Sequence, residues 1–393
     1  MNKRSRFSLD ADYLLIIVLL LFSGDPIVRL TGKYAALLTS LTIFILFFKK
    51  IKKDFYVLFL GIASGLLLLF VWQYALLGFV SWLGAFNYIN TYLLGGLIIY
   101  LLAERFTYKL FIIVSYISII SLVLFVFINI LNISVPGIVW KADGITYIVY
   151  TLVEQHHYRN CGAFWEPGAF GGILTLCLAL NVNQLPVLLR KHPLKVAAII
   201  LAVITTQSTT AYFVLFLIGS YFLVFIIKDK TIAFIVLPLL VVIGVAIYSN
   251  AAFLQNKIEY QAGQTEVLAP GEFSNTRFGS LIFDMHYIQK HPIIGNGFSE
   301  ITRYADNPEI IQLIQMGENL GNGNGMSNFT ACLGIPFMFF YILLSFNAIS
   351  RIDQKMGILA TFVILLSMFS EQWLSYPLYA GIMFIRNRKN DIQ

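Results

Sequence analysis

The sequence predicts an all-α membrane protein that crosses the bilayer many times, and composition and patterning together predict it. Hydrophobic residues make up 58% of the 393 residues and charged residues only 12%. A soluble domain would carry roughly twice that proportion of charge. Apolar runs long enough to cross a bilayer of about 30 Å recur along the whole chain, and short basic clusters separate them.

The apolar runs predict about twelve membrane spans. In chain order they cover residues 13–27, 34–48, 55–73, 87–103, 109–131, 168–186, 196–207, 209–227, 232–249, 328–349, 356–370 and 373–386. The seventh and the last are short for a helix that crosses a bilayer. The polar stretch TTQSTT, residues 205–210, also fits a break inside one bent helix, which is tolerated only where protein or a wet cavity surrounds it.

Basic residues predict the orientation of the chain. Lysine and arginine cluster at residues 3–6, 49–53, 105–109, 190–195, 228–230, 351–355 and 386–389. With twelve spans, all of these clusters fall on one side, and such an excess marks the cytoplasmic side, where both termini are then expected. The net charge of +7 follows mostly from this topology, so no nucleic-acid partner is expected.

Two large polar segments are expected on the outer side of a single integral membrane domain, residues 1–393. Residues 132–167 form the first outer loop and residues 250–326 form the large outer loop. Charged residues gather in and beside these loops, whereas transporters generally place them near the middle of the bilayer. This distribution favours an enzyme that works at the outer face.

The segment YRNCGAFWEPGAFGG, residues 158–172, is the strongest functional signal. It places Arg159 and Glu166 where a polar segment runs into a long apolar one. Charges at that depth cost on the order of 3 kcal/mol each unless they are paired or used. The plainer alternative is a snorkelling arginine and a glutamate that caps the helix beginning at Pro167.

The large outer loop supplies a second charged segment, NTRFGSLIFDMHYIQKHPIIGNGF, residues 275–298. An amphipathic helix near the membrane is predicted by apolar residues at helical spacing: Phe278, Leu281, Ile282 and Met285. Arg277 lies in the first turn of this helix. His291-Pro292 and the glycines after it predict a tight turn at its end.

Three arginines of the outer loops suggest a binding site for a diphosphate. Arg159 and Arg277 flank the two loops, and Arg303 follows shortly after. Two guanidiniums that converge on one outer cavity would make a bidentate clamp, a task for which arginine is better suited than lysine. An outward-facing membrane protein that binds a diphosphate is expected to act on a polyprenyl-linked sugar.

Four motifs, taken in order, resemble the O-antigen polymerase and ligase superfamily of the Wzy type. They are FWEPGAFGG (164–172), TTQSTTAYF (205–213), the run from Arg277 to HPIIGNGF (291–298), and GMSNFTACLGIPF (325–337). The order, the spacing and the twelve-span layout agree from about residue 100 onward. The first hundred residues match only as hydrophobic spans.

The resemblance implies a GT-C-like glycosyltransferase in the cytoplasmic (inner) membrane of a bacterium. Enzymes of this kind act on undecaprenyl-diphosphate-linked oligosaccharides without a nucleotide sugar, and neither a metal nor a cofactor is expected. Outer-loop arginines of the family hold the lipid diphosphate, and Arg159 and Arg277 match those positions; Arg303 is a third candidate. The expected partners are this substrate, the lipid bilayer, a chain-length regulator and a flippase.

The expected activity is the polymerisation of repeat units of O-antigen, capsule or exopolysaccharide. Ligases of the superfamily carry a His-Asn pair where this chain has Met326-Ser327-Asn328, and the missing histidine favours a polymerase. One alternative is a ligase that transfers the finished glycan to another acceptor. The other is a flippase that moves lipid-linked oligosaccharides without making or breaking bonds.

The sequence leaves the general base open. Glu166 is the first choice, because a carboxylate can take the proton of an acceptor hydroxyl. Burial beside Trp165 would make this carboxylate a stronger base. An ion pair with Arg159 would instead make Glu166 an orienting residue. His291 is a second catalytic candidate and Glu371 a weaker one, while Trp165 is the candidate for stacking on a sugar ring.

Two further motifs are interpreted as structural. Asp10-Ala11-Asp12 has the DxD spacing of metal-dependent nucleotide-sugar transferases, but it precedes the first span on the cytoplasmic side and predicts a helix start. The glycine-rich run at residues 321–325 lacks the lysine and hydroxyl residue of a P-loop. It predicts a flexible hinge that lets the large loop move over a bulky lipid.

Overall fold

The structure is a computed structural model that describes residues 10–31, 33–140, 144–147, 149–156, 158–227, 276–316 and 322–386, with six isolated positions between 231 and 263. Most of these residues are helical. The helices are α1 (Ala11–Phe22), α2 (Pro26–Thr31), α3 (Lys33–Phe47), α4 (Lys53–Leu77), α5 (Trp82–Leu102), α6 (Phe106–Phe125), α7 (Pro167–Leu180), α8 (Leu185–Lys191), α9 (Pro193–Thr206), α10 (Thr209–Tyr221), α11 (Arg277–Lys290), α12 (Glu300–Arg303), α13 (Pro308–Gln315), α14 (Gly325–Leu333), α15 (Ile335–Ser350), α16 (Gln354–Ser370) and α17 (Pro377–Gly381).

Within the described residues, three helical stretches are long and apolar enough to cross a membrane. They are Lys53–Leu77, Trp82–Ile130 and Thr209–Ile226, and a fourth is gained if Pro167–Leu180 and Val182–Lys191, bent by 60°, count as one broken span. Helices α1, α9, α15 and α16 are apolar but only 12 to 17 residues long, short of the roughly 20 that a straight crossing needs. The predicted span at 232–249 lies largely outside the described residues.

Local chemistry explains where helices divide. Ala103, with a φ of 49°, separates α5 from α6. Gln207 has the same φ and ends α9, while the Ser208 side chain caps α10, so TTQSTT is a break between two short helices. At the end of α7, Asn181 donates to the Thr107 carbonyl at 3.0 Å, and the chain bends there.

The predicted last span, residues 373–386, is not a continuous helix. Helix α17 covers only five residues, with 3-10 turns at Trp373–Ser375 and Ile382–Phe384 on either side. Its backbone lies directly against α5, since a side chain at Gly95 would overlap the Pro377 carbonyl. The run is as apolar as a spanning helix because all of it except Ser375 and Tyr376 is buried, as is every residue of α7.

The first outer loop contains a small sheet, so the expectation of an all-α protein is wrong at this point. Strands β1 (Ile138–Trp140), β2 (Ile145–Tyr147) and β3 (Thr151–Val153) pair antiparallel in the order β1-β2-β3. Their β-branched and aromatic residues favour strands. The Thr151 amide donates to the Gly162 carbonyl at 2.7 Å, which ties the sheet to the segment before α7.

The basic cluster at residues 105–109 pairs with the two aspartates at the start of α1. Arg105 pairs with Asp12 and Lys109 with Asp10, which anchors the start of α6 on the start of α1. Asp10 also caps α1, accepting from the Asp12 amide at 3.2 Å. The predicted helix start at Asp10 is therefore confirmed, and both aspartates hold ion pairs within the protein.

Candidate functional site

Arg159 is fixed at the break between α9 and α10. Its Nε donates to the Thr206 carbonyl at 3.0 Å and its Nη2 to the Gln207 carbonyl at 3.1 Å. These carbonyls are free to accept because the helix that would have used them ends here. The two bonds occupy one edge of the guanidinium, and no acceptor for its other edge is found among the described residues. Arg159 is thus held in place with three N–H donors left for a ligand.

Asn160 holds the backbone around Arg159 in position. Its amide donates to the Thr205 carbonyl and its Nδ2 to the Thr205 hydroxyl, both at 2.9 Å. Its Oδ1 accepts from the Gly162 amide at 2.9 Å. Because Asn160 is fully buried, these bonds fasten the Arg159 segment to the end of α9.

Arg277 and Glu166 lie close enough to Arg159 for their charges to act on it. Burial lowers the pKa of Arg159, the charge of Arg277 lowers it further, and the charge of Glu166 opposes the shift. No ion pair within 4 Å joins Arg159 to Glu166, so the predicted pairing is not formed. Arg277 is the first residue of α11, where a cation meets the positive end of the helix dipole.

Glu166 and Glu371 meet above Gly168. Glu371 Oε1 would lie 2.7 Å from a Cβ on Gly168 and Glu166 Oε1 3.1 Å from it, so both carboxylates lie against this glycine. Glu166 is the N-cap residue of α7, with Pro167 at the first helical position, and its side chain makes no capping bond. Glu166 therefore occupies the capping position that the plainer interpretation gave it, but its carboxylate does not cap the helix. We call Arg159, Glu166, Arg277 and Glu371, all half-buried, the charged rim.

Trp165 is buried beside the charged rim in an aromatic cluster. Its ring stacks on Tyr376 with centroids 4.6 Å apart and meets Trp373 at 5.7 Å. Since only 8% of Trp165 is exposed, the half-buried Tyr376 presents more ring surface to a sugar than Trp165 does. Stacking of Trp165 on a sugar stays a prediction.

Arg303 does not join the charged rim. It is 6% exposed, and its Nη1 donates to Asn328 Oδ1 at 2.8 Å and to Cys332 Sγ at 2.7 Å. Its guanidinium carbon lies 4.5 Å from the centre of the Tyr304 ring. The sequence placed Arg303 with the other outer-loop arginines, but it packs inside the contact between α12 and α14 and has no open surface for a diphosphate.

Asp284, which the sequence did not single out, is the centre of a buried network. It is fully buried and accepts from Ser327 Oγ at 2.5 Å and from Asn322 Nδ2 at 2.9 and 3.1 Å. Burial raises its pKa to about 6, against the charge of Arg303 and these hydrogen bonds. A lone carboxylate on the stripe of helix α11 that carries Ser280 and Tyr287 is the signal that could have identified it. Asp284, Arg303, Asn322, Ser327 and Asn328 form what we call the buried network.

The network corrects the predicted hinge at 321–325, of which Gly321 lies outside the described residues. The Gly323 amide donates to Ser280 Oγ at 3.0 Å, and Asn324 Nδ2 donates to the Arg277 carbonyl at 3.3 Å. Asn324 also caps α14 by accepting from the Ser327 amide at 3.1 Å. Residues 322–325 are therefore fastened to α11, and they hold its first turn, including Arg277, against α14.

His291 forms the turn that sequence reasoning preferred for it. It ends α11, and its carbonyl accepts from the Gly295 amide at 2.8 Å. The turn packs against the end of α14, where its Asn296 amide donates to the Ala331 carbonyl at 2.8 Å. Gln73 Nε2 of α4 donates to the Ile294 carbonyl of the same turn at 2.6 Å. A catalytic role for His291 stays a prediction, and among the described residues no hydrogen bond or ion pair joins His291 to the charged rim.

Helix α11 is confirmed, and the apolar stripe that was predicted to lie near the membrane is distinct from its buried face. Phe278 and Met285 are each 43% exposed. The buried face carries Phe283, Tyr287 and Ile288, because small and polar residues such as Ser280 and Asp284 share that face and bond to the 322–327 segment. The apolar stripe that the sequence predicted to lie near the membrane is partly exposed, and Phe278 within it contacts Phe369 of α16, with ring centroids 5.5 Å apart.

A cavity of about 340 Å³ opens beside Tyr376, whose ring stacks on Trp165. Its polar lining includes Asp25, Asn87, Asn90 and Thr91, and its aromatic lining includes Tyr88 and Phe298. Hydroxyls and amides beside aromatic rings are the groups that bind sugars through hydrogen bonds and stacking. The site thus combines a cationic part, a pair of carboxylates and a polar, aromatic cavity.

No protein-family model matches the chain, and no curated protein matches its sequence. The resemblance of the four motifs to the polymerase and ligase superfamily therefore rests on those motifs alone. Function has to be argued from the geometry of the site.

Proposed function

We propose that this protein is a glycosyltransferase of the bacterial inner membrane that polymerises undecaprenyl-diphosphate-linked oligosaccharide repeat units at the outer face. The observation that supports this most is that Arg159, with N–H donors left over, and the carboxylates of Glu166 and Glu371 lie at a half-buried surface where the charge of Arg277 also acts. Two like charges held together are unfavourable, and a bound diphosphate would neutralise both. The proposal includes twelve crossings in a GT-C-like arrangement, with the irregular segment at residues 373–386 as the last of them and both termini in the cytoplasm.

In this mechanism the growing glycan is the donor and the sugar of an incoming lipid-linked repeat unit is the acceptor. The acceptor hydroxyl attacks the anomeric carbon of the donor while the bond to the diphosphate oxygen breaks. Glu166 takes the hydroxyl proton, with Glu371 as the neighbouring carboxylate. Arg159 and Arg277 stabilise the negative charge that develops on the leaving diphosphate.

Fixation of Arg159 supports this assignment over a passive surface charge. Its bonds to two backbone carbonyls set the guanidinium before the substrate arrives, so less reorganisation is needed in the transition state. Lysine would keep the charge but could not hold two carbonyls and a phosphate in the same plane. The same argument predicts poor rescue by lysine.

Substitution of the two arginines tests the clamp. Arg159→Ala and Arg277→Ala should each lower glycan polymerisation about 100-fold or more, because each removes a charge-assisted contact to the leaving group. The long ladder on a gel should vanish while the protein still accumulates in the membrane. Arg190→Ala, on an exposed arginine at the end of α8, is the matched control and should leave the ladder intact.

Near-normal ladders from both variants at normal expression would remove the clamp. Arg159→Lys and Arg277→Lys separate charge from geometry. Full activity of both lysine variants would show that positive charge alone is sufficient and that a bidentate contact is not formed.

A deletion strain separates the three candidate activities. Loss of a polymerase should leave glycans of a single repeat unit on the final acceptor. Fully polymerised glycan that fails to reach its acceptor would indicate a ligase. Single lipid-linked units that accumulate on the cytoplasmic side would indicate a flippase.

Reporter fusions test the proposed topology. Fusions near residue 265 and after residue 389 should report opposite compartments, because the large outer loop and the C-terminus are proposed to lie on opposite sides. Reports from the same compartment would show an even number of crossings between the two fusion sites, where three are expected. The irregular α17 segment is the first place to look for the difference.

A further inference from the structure

A groove of about 630 Å³ lies at the end of the bundle opposite the charged rim, between the start of α4 and the end of α15. Lys53, the first residue of α4, and Arg351, directly after α15, line its polar end. Arg386 and Asp54 line the same end. The groove therefore gathers three cations and one carboxylate, and neither the diphosphate clamp nor the sugar cavity uses it.

The single carboxylate of the groove is already satisfied. Asp54 accepts from Arg386 Nη1 at 3.4 Å and from the hydroxyl of Tyr100. Arg386 also lies over the Tyr100 ring, with its guanidinium carbon 3.7 Å from the ring centre. Lys53 and Arg351 have no carboxylate within 4 Å among the residues that the structure describes. Their charges are left for an anionic ligand.

The walls of the groove are apolar and run along a helix that is long enough to cross a membrane. Val57, Leu58, Gly61 and Phe340 line it, and Val57 is 63% and Phe340 51% exposed. Gly61 lies eight residues after Lys53, about 12 Å further along the helix axis. No atom lies within 4 Å of a Cβ placed on Gly61, so the groove stays open two turns above its cationic end.

We propose that this groove binds an anionic glycerophospholipid of the inner leaflet. Its phosphate would lie against Lys53 and Arg351 and one acyl chain along Val57, Gly61 and Phe340. The polarity of the groove matches that of a lipid, with charge at one end and hydrocarbon walls beyond it. Basic pockets between helices on the cytoplasmic side are suited to anionic headgroups, and each cation near the surface strengthens binding about fivefold. The proposal does not depend on the polymerase activity.

Lipid titration of the purified protein in detergent tests the proposal. Phosphatidylglycerol should raise the unfolding temperature at concentrations where phosphatidylcholine does not. Lys53→Ala and Arg351→Ala should each weaken phosphatidylglycerol binding about fivefold, measured by native mass spectrometry. Lys49→Ala, on an exposed lysine of the same basic cluster outside the groove, should have no such effect. An equal loss from Lys49→Ala would overturn the proposal in favour of diffuse charge attraction.

A second pair of variants tests the hydrocarbon wall. Gly61→Leu fills the groove without changing charge and should weaken phosphatidylglycerol binding. Gly65→Leu is the matched control, because it lies one turn further along the same exposed face, also with no atom within 4 Å, and outside the groove. Equal stabilisation by inorganic phosphate, together with unchanged binding in Gly61→Leu, would show that the site takes a free anion and that no lipid chain enters it.

Discussion

The charged rim and the buried network use the same residue types in opposite ways. In the rim, one edge of the Arg159 guanidinium donates to two backbone carbonyls and the other edge does not. Glu166 and Glu371 both lie against Gly168. In the network, Asp284 is fully buried and receives bonds from two side chains, and Arg303 is enclosed. The rim leaves N–H donors of Arg159 for a ligand, whereas the network uses most of its donors and acceptors within the fold.

Burial and hydrogen-bond partners separate the two regions, and residue type does not. A charge that is enclosed and bonded on all sides costs the protein heavily if its partner is removed. A half-buried charge near a like charge weakens the fold slightly and gains from a bound ligand. Substitutions in the rim should therefore change activity, and substitutions in the network should change stability.

The largest expected effect is on the carboxylate pair of the rim. Glu166→Gln keeps the size of the side chain but cannot take a proton, so we expect the polymerisation rate per folded protein to fall by about 10²–10⁴-fold. Glu371→Gln should have a smaller effect if Glu371 only positions its neighbour. The measurement is glycan elongation by purified protein with a lipid-linked substrate.

Glu309→Gln, on an exposed glutamate of the large loop at residues 250–326, is the control for this pair. A larger loss in Glu371→Gln than in Glu166→Gln would reverse the two roles. Wild-type rates in both variants would remove the carboxylate pair from the mechanism altogether.

The next prediction concerns Arg303, which the sequence assigned to the diphosphate. Arg303→Met keeps much of the bulk but leaves Asp284 buried without its countercharge, so the free energy of unfolding should fall by about 3–5 kcal/mol. Arg277→Met, at the half-buried rim, should lose activity and little stability. Thermal unfolding in detergent compares the two. An unchanged unfolding temperature in Arg303→Met, with activity lost, would return Arg303 to the binding site.

The sequence predicted most of the helices, and it failed where burial was complete. Apolar runs mark α4, α5 and α6 correctly because a helix long enough to cross a membrane needs little else. The same signal misled at residues 373–386, since a buried irregular segment is as apolar as a spanning helix. The small sheet was missed because its strands are three residues long, too short for a period-two pattern to show.

The site was predicted in part. Charges at the edge of an apolar run identified Arg159 and Glu166, and the structure places Arg277 near them. No local pattern could show that Glu371 lies above Gly168, because the contact joins residues about two hundred positions apart. Arg303 looked like Arg277 in sequence, and only three-dimensional packing against Asn328 and Cys332 distinguishes them.

The smallest expected effect is a pH dependence of the folding stability that arises from Asp284. The pKa of Asp284 in the folded protein is about 6, above its ordinary value of 3.8. Between these values the folded state binds more protons than the unfolded state, so stability should fall as the pH rises from about 4 to 6, by on the order of 3 kcal/mol. Asp284→Asn cannot titrate and should lose this slope.

Asp306→Asn is the control with the opposite sign, because Lys290 helps to lower the pKa of Asp306. The stabilisation from Asp306 is lost only as the pH falls below about 4. Parallel stability profiles for wild type and Asp284→Asn between pH 4 and 6 would show that the buried network holds no strained carboxylate, and the contrast with the charged rim would then rest on hydrogen bonding alone.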